Sequence, residues 1–128
     1  MMVDAAALKK GDYIEINGEP FRVSNIQSVV TSRHTHTKIK LEAQGMFTDS
    51  KKTLSVPHDE KFEKVDLIRK HGQLISKTAE DTCQVMDLRD YKIYEASISK
   101  DLMMRLSEGD EVTYIDFKGR ARVLDSRD

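Results

Sequence analysis

The sequence predicts an all-β protein made of two small barrels in series, the second carrying one short helix. Three observations lead there. Short segments of alternating apolar and polar residues recur along the chain, separated by turn residues. An Asn17-Gly18 pair sits between two such segments and marks a tight hairpin. Charge changes sign near residue 70: residues 1–70 hold 12 basic and 10 acidic side chains, residues 71–128 hold 9 and 12. A chain of 128 residues has length for one ordinary domain or two very small ones. The pattern divides it into 1–70 and 71–128, with the boundary at Lys70, His71 and Gly72.

In the first half, the polar turn Leu8 to Asp12 leads into the alternating strand Tyr13 to Ile16. After Asn17-Gly18, the segment Pro20 to Val30 returns antiparallel, rich in β-branched residues. Thr37 to Phe47 alternates again, with Ile39, Leu41 and Ala43 on one face and Lys38, Lys40, Glu42 and Gln44 on the other. A turn at Thr48 to Ser50 precedes a fourth strand, Lys51 to Val56, which Pro57 stops. Phe62 to Ile68 makes a fifth. Five short, hairpin-linked strands in about 70 residues suggest a small barrel.

In the second half, strands are expected at Gln73 to Thr78, Thr82 to Leu88 and Tyr91 to Ile98. Ser99 then caps a short helix whose Leu102, Met103 and Leu106 face inward, with Gly109 ending it. Glu111 to Phe117 and Arg120 to Leu124 follow around Lys118-Gly119. Three strands, a helix and two strands is the order of an OB-fold.

Composition narrows the function classes. A 38% hydrophobic content with two prolines and six glycines describes a folded, soluble chain and not a disordered one. No apolar run of about 18 residues spans a bilayer, and the N-terminus lacks the pattern of a signal peptide, so no membrane partner and a cytoplasmic location are expected. A lone Cys83 in an apolar stretch fits a reducing compartment and core filling. There is no Gly-rich phosphate loop, no GxSxG motif and no cysteine pair, so an enzyme is not expected, nor any cofactor.

The one concentrated feature is Ser28 to Lys40, the tip and flanks of a long hairpin. From Pro20 to Leu41 there is no Asp or Glu, although 34% of the chain is charged, and the segment holds Arg22, Arg33, Lys38, Lys40, His34 and His36. Such a bias on a nearly neutral protein is what an arm reaching for phosphate requires. A solvated edge that discourages strand aggregation is the plainer reading of the same charges. Arg33 at the apex offers five donors in a plane and stays charged, so it can clamp a phosphate or stack on a base. His34 and His36 could share a metal if His58 or His71 joined them. With no carboxylate in the arm, phosphate or base contact is the simpler role and no metal is expected.

These residues resemble a family, the archaeal and eukaryotic translation initiation factor 5A proteins, relatives of bacterial elongation factor P. The resemblance rests on Leu8 to Tyr13, Ile16 to Val23, the tip Thr31 to Lys38, Gly45 to Thr48 with Lys51 to Leu54, and Gln84 to Arg89, in that order and spacing. It implies an N-terminal SH3-like barrel followed by a C-terminal OB-fold. It further implies a non-enzymatic translation factor that binds the ribosome near the exit site, contacts ribosomal RNA and the end of peptidyl-tRNA, and relieves stalled peptide bond formation, for example at consecutive prolines. The partner is then RNA and not DNA. Carried onto this chain, the contact set is Thr31, Ser32, Arg33, His34, Thr35 and His36 at the tip, with Lys38, Lys40, Lys51 and Lys52 on the backbone.

The sequence departs from the family at the decisive position. The family's tip reads Thr-Gly-Lys-His-Gly and its lysine becomes hypusine; here Arg33 stands in that place and both glycines are gone. A guanidinium does not accept the aminobutyl group that hypusination adds to an amine. Three explanations stay open: Arg33 works unmodified, it is the target of a different modifying enzyme, or it replaces a lysine by design. Two other functions also stay open, self-assembly of a hypusine-less structural relative and general single-strand RNA binding.

Overall fold

The computed structural model describes residues 1–30 and 37–127. Its strands are β1 (Met2–Asp4), β2 (Tyr13–Ile16), β3 (Glu19–Val29), β4 (Lys38–Gly45), β5 (Lys51–Pro57), β6 (Lys61–Val65), β7 (Arg69–Lys77), β8 (Thr82–Asp87), β9 (Ile93–Ser97), β10 (Glu111–Phe117) and β11 (Arg120–Ser126). The helix α1 spans Lys100–Arg105, and a 3₁₀ turn covers Ala5–Ala7. The fold is all-β with two barrel-like domains, and the chain separates into two compact units, Met1–Asp66 and Leu67–Asp128.

The first unit, the SH3-like one, is a six-stranded sheet in the order β1-β6-β2-β3-β4-β5. Its hairpin turn has the backbone the dipeptide requires: Asn17 and Gly18 both take positive φ, 54° and 79°, between the paired Ile16 and Glu19. Ile14, Phe21, Val23, Ile39, Leu41 and Ala43 close around Ala5 and Leu8 as its core. β1 and the 3₁₀ turn had no periodic signal in the sequence. Three residues are too few for alternation to register, and β1 exists because Met2, Val3 and Asp4 pair with Glu63, Phe62 and Lys61.

One irregularity matters for the hairpin. The β3–β4 register shifts between Val23 and Asn25, so Ser24 is an extra residue whose hydroxyl donates to the Glu42 carbonyl at 3.1 Å. Phe21 and Val23 face the core before the bulge and Ile26, paired with Leu41, faces it afterwards. Without the bulge, strict alternation would bring Asn25 and Gln27 inward.

The second unit is a closed barrel in the order β10-β11-β9-β8-β7, the OB arrangement, with α1 between the third and fourth strands. Its seam is parallel: Ala121 and Arg122 of β11 pair with Ala96 and Ser97 of β9. Ser99 caps α1 through its hydroxyl, which accepts from the Leu102 N–H at 3.3 Å, and Leu102, Met103 and Leu106 are buried. Leu74, Cys83, Val85, Val112 and Tyr114 are among the core residues they pack with.

The sequence starts the first of these strands at Gln73, because Arg69 to Gly72 reads like a turn. In the structure that run is strand: Arg69 pairs with Ile115 and His71 with Thr113. Likewise β9 begins at Ile93, since Tyr91 takes a positive φ of 62° and belongs to the preceding turn.

Candidate nucleic-acid interface

The β3–β4 ladder builds the arm that the sequence singled out. From Phe21↔Gly45 it runs to Val29↔Lys38, so two strands continuous with the core carry the chain outward. The outer end of the ladder is tied from the side, where the His58 N–H donates to the Thr37 carbonyl at 3.2 Å. Thr31, Ser32, Arg33, His34, Thr35 and His36 lie outside the described residues, and their contacts with them.

Along β4, exposure alternates without a break: Lys38, Lys40, Glu42 and Gln44 are exposed and Ile39, Leu41, Ala43 and Gly45 are buried. Cross-strand partners extend this outer face into rows, Val29–Lys38–Pro57, Gln27–Lys40–Ser55, Asn25–Glu42–Thr53 and Arg22–Gln44–Lys51. Lys38, Lys40 and Lys51 therefore share one surface, with Arg22 at its far end and Glu42 as its one acidic member among these residues.

Lys52 is placed differently. Adjacent strand residues point to opposite faces, and Lys52 opposes buried Ala43 with its Nζ 5.8 Å from the Phe21 ring centroid. The four lysines that the sequence groups together thus divide three to one.

The turn that positions β5 is held by Glu19. Its Oε1 accepts from the Phe47 N–H at 3.0 Å, the Thr48 N–H at 2.8 Å and the Thr48 hydroxyl at 2.9 Å. Gly45 leaves the room for this, since a Cβ there would lie 2.5 Å from Glu19 Oε1. The sequence gives no local sign of Glu19's role, because its partners are about 28 residues away.

Among the described residues, no three His, Cys, Asp or Glu side chains come together to hold a metal, and no helix is long and apolar enough to cross a membrane. What the arrangement offers is a cationic, solvent-facing surface along β4 and β5, whose charge complements that of a phosphate backbone.

Two consecutive β-domains, the first extended into a basic arm and the second an OB barrel, define a structural class of two-barrel proteins. Comparison with known proteins makes the class specific. The family model described as translation initiation factor 5A-like, N-terminal, matches residues 1–60. The chain is 36% identical to translation initiation factor 5A of Pyrobaculum aerophilum over 95% of its own length and 90% of that protein. It is 36% identical to that of Sulfurisphaera tokodaii over 91% and 90%. The solved structure of eukaryotic translation initiation factor 5A from Methanococcus jannaschii superposes with a TM-score of 0.80 at 28% identity, covering 98% of this chain and 93% of that one. The chain belongs to the translation initiation factor 5A family, and it is a translation factor.

Proposed function

We propose that this protein binds the ribosome near the exit site and lays the tip Thr31 to His36 against the end of peptidyl-tRNA, so that stalled peptide bond formation resumes. Arg33 is the contacting cation at the apex. The work is orientation of a sluggish reactant and not proton transfer, and the protein acts in the cytoplasm without a cofactor. Lys38, Lys40 and Lys51 grip RNA phosphates along the arm, and Lys52 contributes mainly to packing.

The observation that supports this reading best is the shared outer face of Lys38, Lys40 and Lys51 on the two strands that lead to the tip. Family membership supports it independently. Co-sedimentation with ribosomes across a salt series tests it. Arg33→Ala and the double variant Lys38→Ala/Lys40→Ala should each weaken association, the double by roughly tenfold near physiological salt, with a shallower salt dependence. Association indifferent to both changes would refute the reading.

A further inference from the structure

The second barrel carries a cleft of about 600 Å³ that the hairpin reading leaves unused. It is built around the start of β7 and the 88–90 turn, with Arg127 beyond β11 closing one side. The turn is fastened to β7 by the Leu88 N–H, which donates to the His71 carbonyl at 3.1 Å.

The charges in this cleft are not equivalent. Its two carboxylates are engaged from within. Asp87 accepts from the Arg89 N–H at 2.7 Å, the Asp90 N–H at 3.1 Å and the Tyr114 hydroxyl at 2.5 Å. Asp90 accepts from the Lys92 N–H at 2.9 Å and the Tyr94 hydroxyl at 3.4 Å. The two arginines at the mouth are the reverse case. Among the described residues, Arg69 and Arg89 are exposed and their side chains make no hydrogen bond or ion pair, while Lys70 meets Asp116 at 3.8 Å and Arg127 meets Glu111 at 3.6 Å. Arg69 and Arg89 thus leave guanidinium forks unspent, donor groups whose geometry matches a phosphate.

Tyr91 follows Asp90 in the turn, its N–H donating to the Asp87 carbonyl at 2.9 Å, and is 70% exposed; Ile68, which lines the cleft, is 71% exposed. A planar aromatic next to a donor-lined cleft is the combination that receives a base and its phosphate together. The surface on which an OB barrel usually takes a strand, the β8–β9 face with the loops 78–81 and 118–119, carries mixed charge here. Glu95 and Asp81 are exposed on it, as are Lys118 and Arg120, and Glu80 pairs with Lys100 at 3.2 Å.

We infer that this cleft is a second RNA-binding site, taking the phosphodiester of a single-stranded segment on Arg69 and Arg89 with a base stacked on Tyr91. It depends on no contact of the hairpin tip.

The test uses the full-length protein, isotopically labelled and titrated with a uridine hexanucleotide and separately with inorganic phosphate, following backbone amide shifts. The hexanucleotide should move the amides of residues 69–71 and 88–91. Arg69→Gln/Arg89→Gln should weaken binding at least tenfold and lower the salt slope by about 1.4, two contacts at about 0.7 each. Tyr91→Ala should weaken it roughly tenfold. Arg33→Ala should leave these shifts in place.

Shifts confined to the arm, or centred on the β8–β9 face, would overturn the inference while leaving the ribosome reading standing. An equal response to phosphate and hexanucleotide, unaffected by Tyr91→Ala, would reduce the cleft to a small-anion site and also overturn it. Loss of ribosome binding in Arg33→Ala with hexanucleotide binding intact separates the two sites.

Discussion

The Tyr114 hydroxyl donates to Asp87 at 2.5 Å across an intervening strand, since Tyr114 lies on β10, Asp87 on β8, and β7 runs between them. Asp87 in turn holds the Arg89 and Asp90 amides, so one buried pair shapes the turn that floors the second-barrel cleft. Burial alone would push the Asp87 carboxyl up; the Tyr114 bond, the two amides and the charge of Lys70 outweigh it and hold the group below its ordinary 3.8. Tyr114 is pushed upward by burial and by Asp87, so it stays a donor throughout the working range.

Tyr114→Phe should therefore destabilise the second unit by about 2 kcal/mol, the scale of a buried bond to a charged acceptor. The acid limb should change too. A depressed carboxyl contributes stability that is complete above the unfolded value and is lost as pH falls through the native one. Urea unfolding from about pH 5 down to about pH 2 should show a smaller loss in the variant than in the parent.

Gly72 makes the Tyr114 contact feasible. A Cβ on Gly72 would collide with Val85 Cγ1 and would lie 3.1 Å from the Met86 carbonyl and 3.2 Å from Tyr114 Cε1. Gly72→Ala should cost about 1–3 kcal/mol by overpacking and should shift the amides of Arg89 and Asp90, which a change remote from Asp87 would leave alone. Thermal unfolding and an amide spectrum check both.

Cys83 is fully buried in the second core, and burial pushes its thiol up to about 11. Disulfide reagents should not reach it at about pH 8 until the chain is unfolded by denaturant. A raised acid stabilises the fold fully below its unfolded value of 9.0 and progressively less as pH rises towards 11, so stability should fall over that interval. Cys83→Ser, which buries a hydroxyl in an apolar core, should cost about 1–3 kcal/mol.

Lys51 and Lys52 should separate in function although they are adjacent. Lys51→Ala should reduce ribosome association and leave folding untouched. Lys52→Ala should lose about 0.5 kcal/mol of stability with the Phe21 contact and change association less. Equal losses of binding would contradict the division of faces.

Most of the fold was legible in the residues. Asn17-Gly18 dictated its own turn, β4 alternated without a fault, and Ser99 announced α1. What escaped depended on distant partners. β1 and the strand run Arg69 to Gly72 have no local β signature and take their conformation from β6 and β10. The Ser24 bulge left a trace, the change of parity between Val23 and Ile26, that could have been read. Charge bias gave away the arm because its residues are consecutive. The cleft stayed hidden because Arg69 and Arg89 are twenty positions apart and meet only through the β7–β8 pairing.

The parallel seam between β9 and β11 has a consequence for synthesis. The first unit has all its strands once residue 65 has been made, so it can fold while the rest of the chain is still being translated. The second unit cannot close until Ala121 and Arg122 are free to join Ala96 and Ser97. A chain stopped before Arg120 would emerge with one finished domain and one open sheet, its β9 edge bare. A protein of a family that serves translation thus relies, for its own second half, on the ribosome reading through the whole of β11.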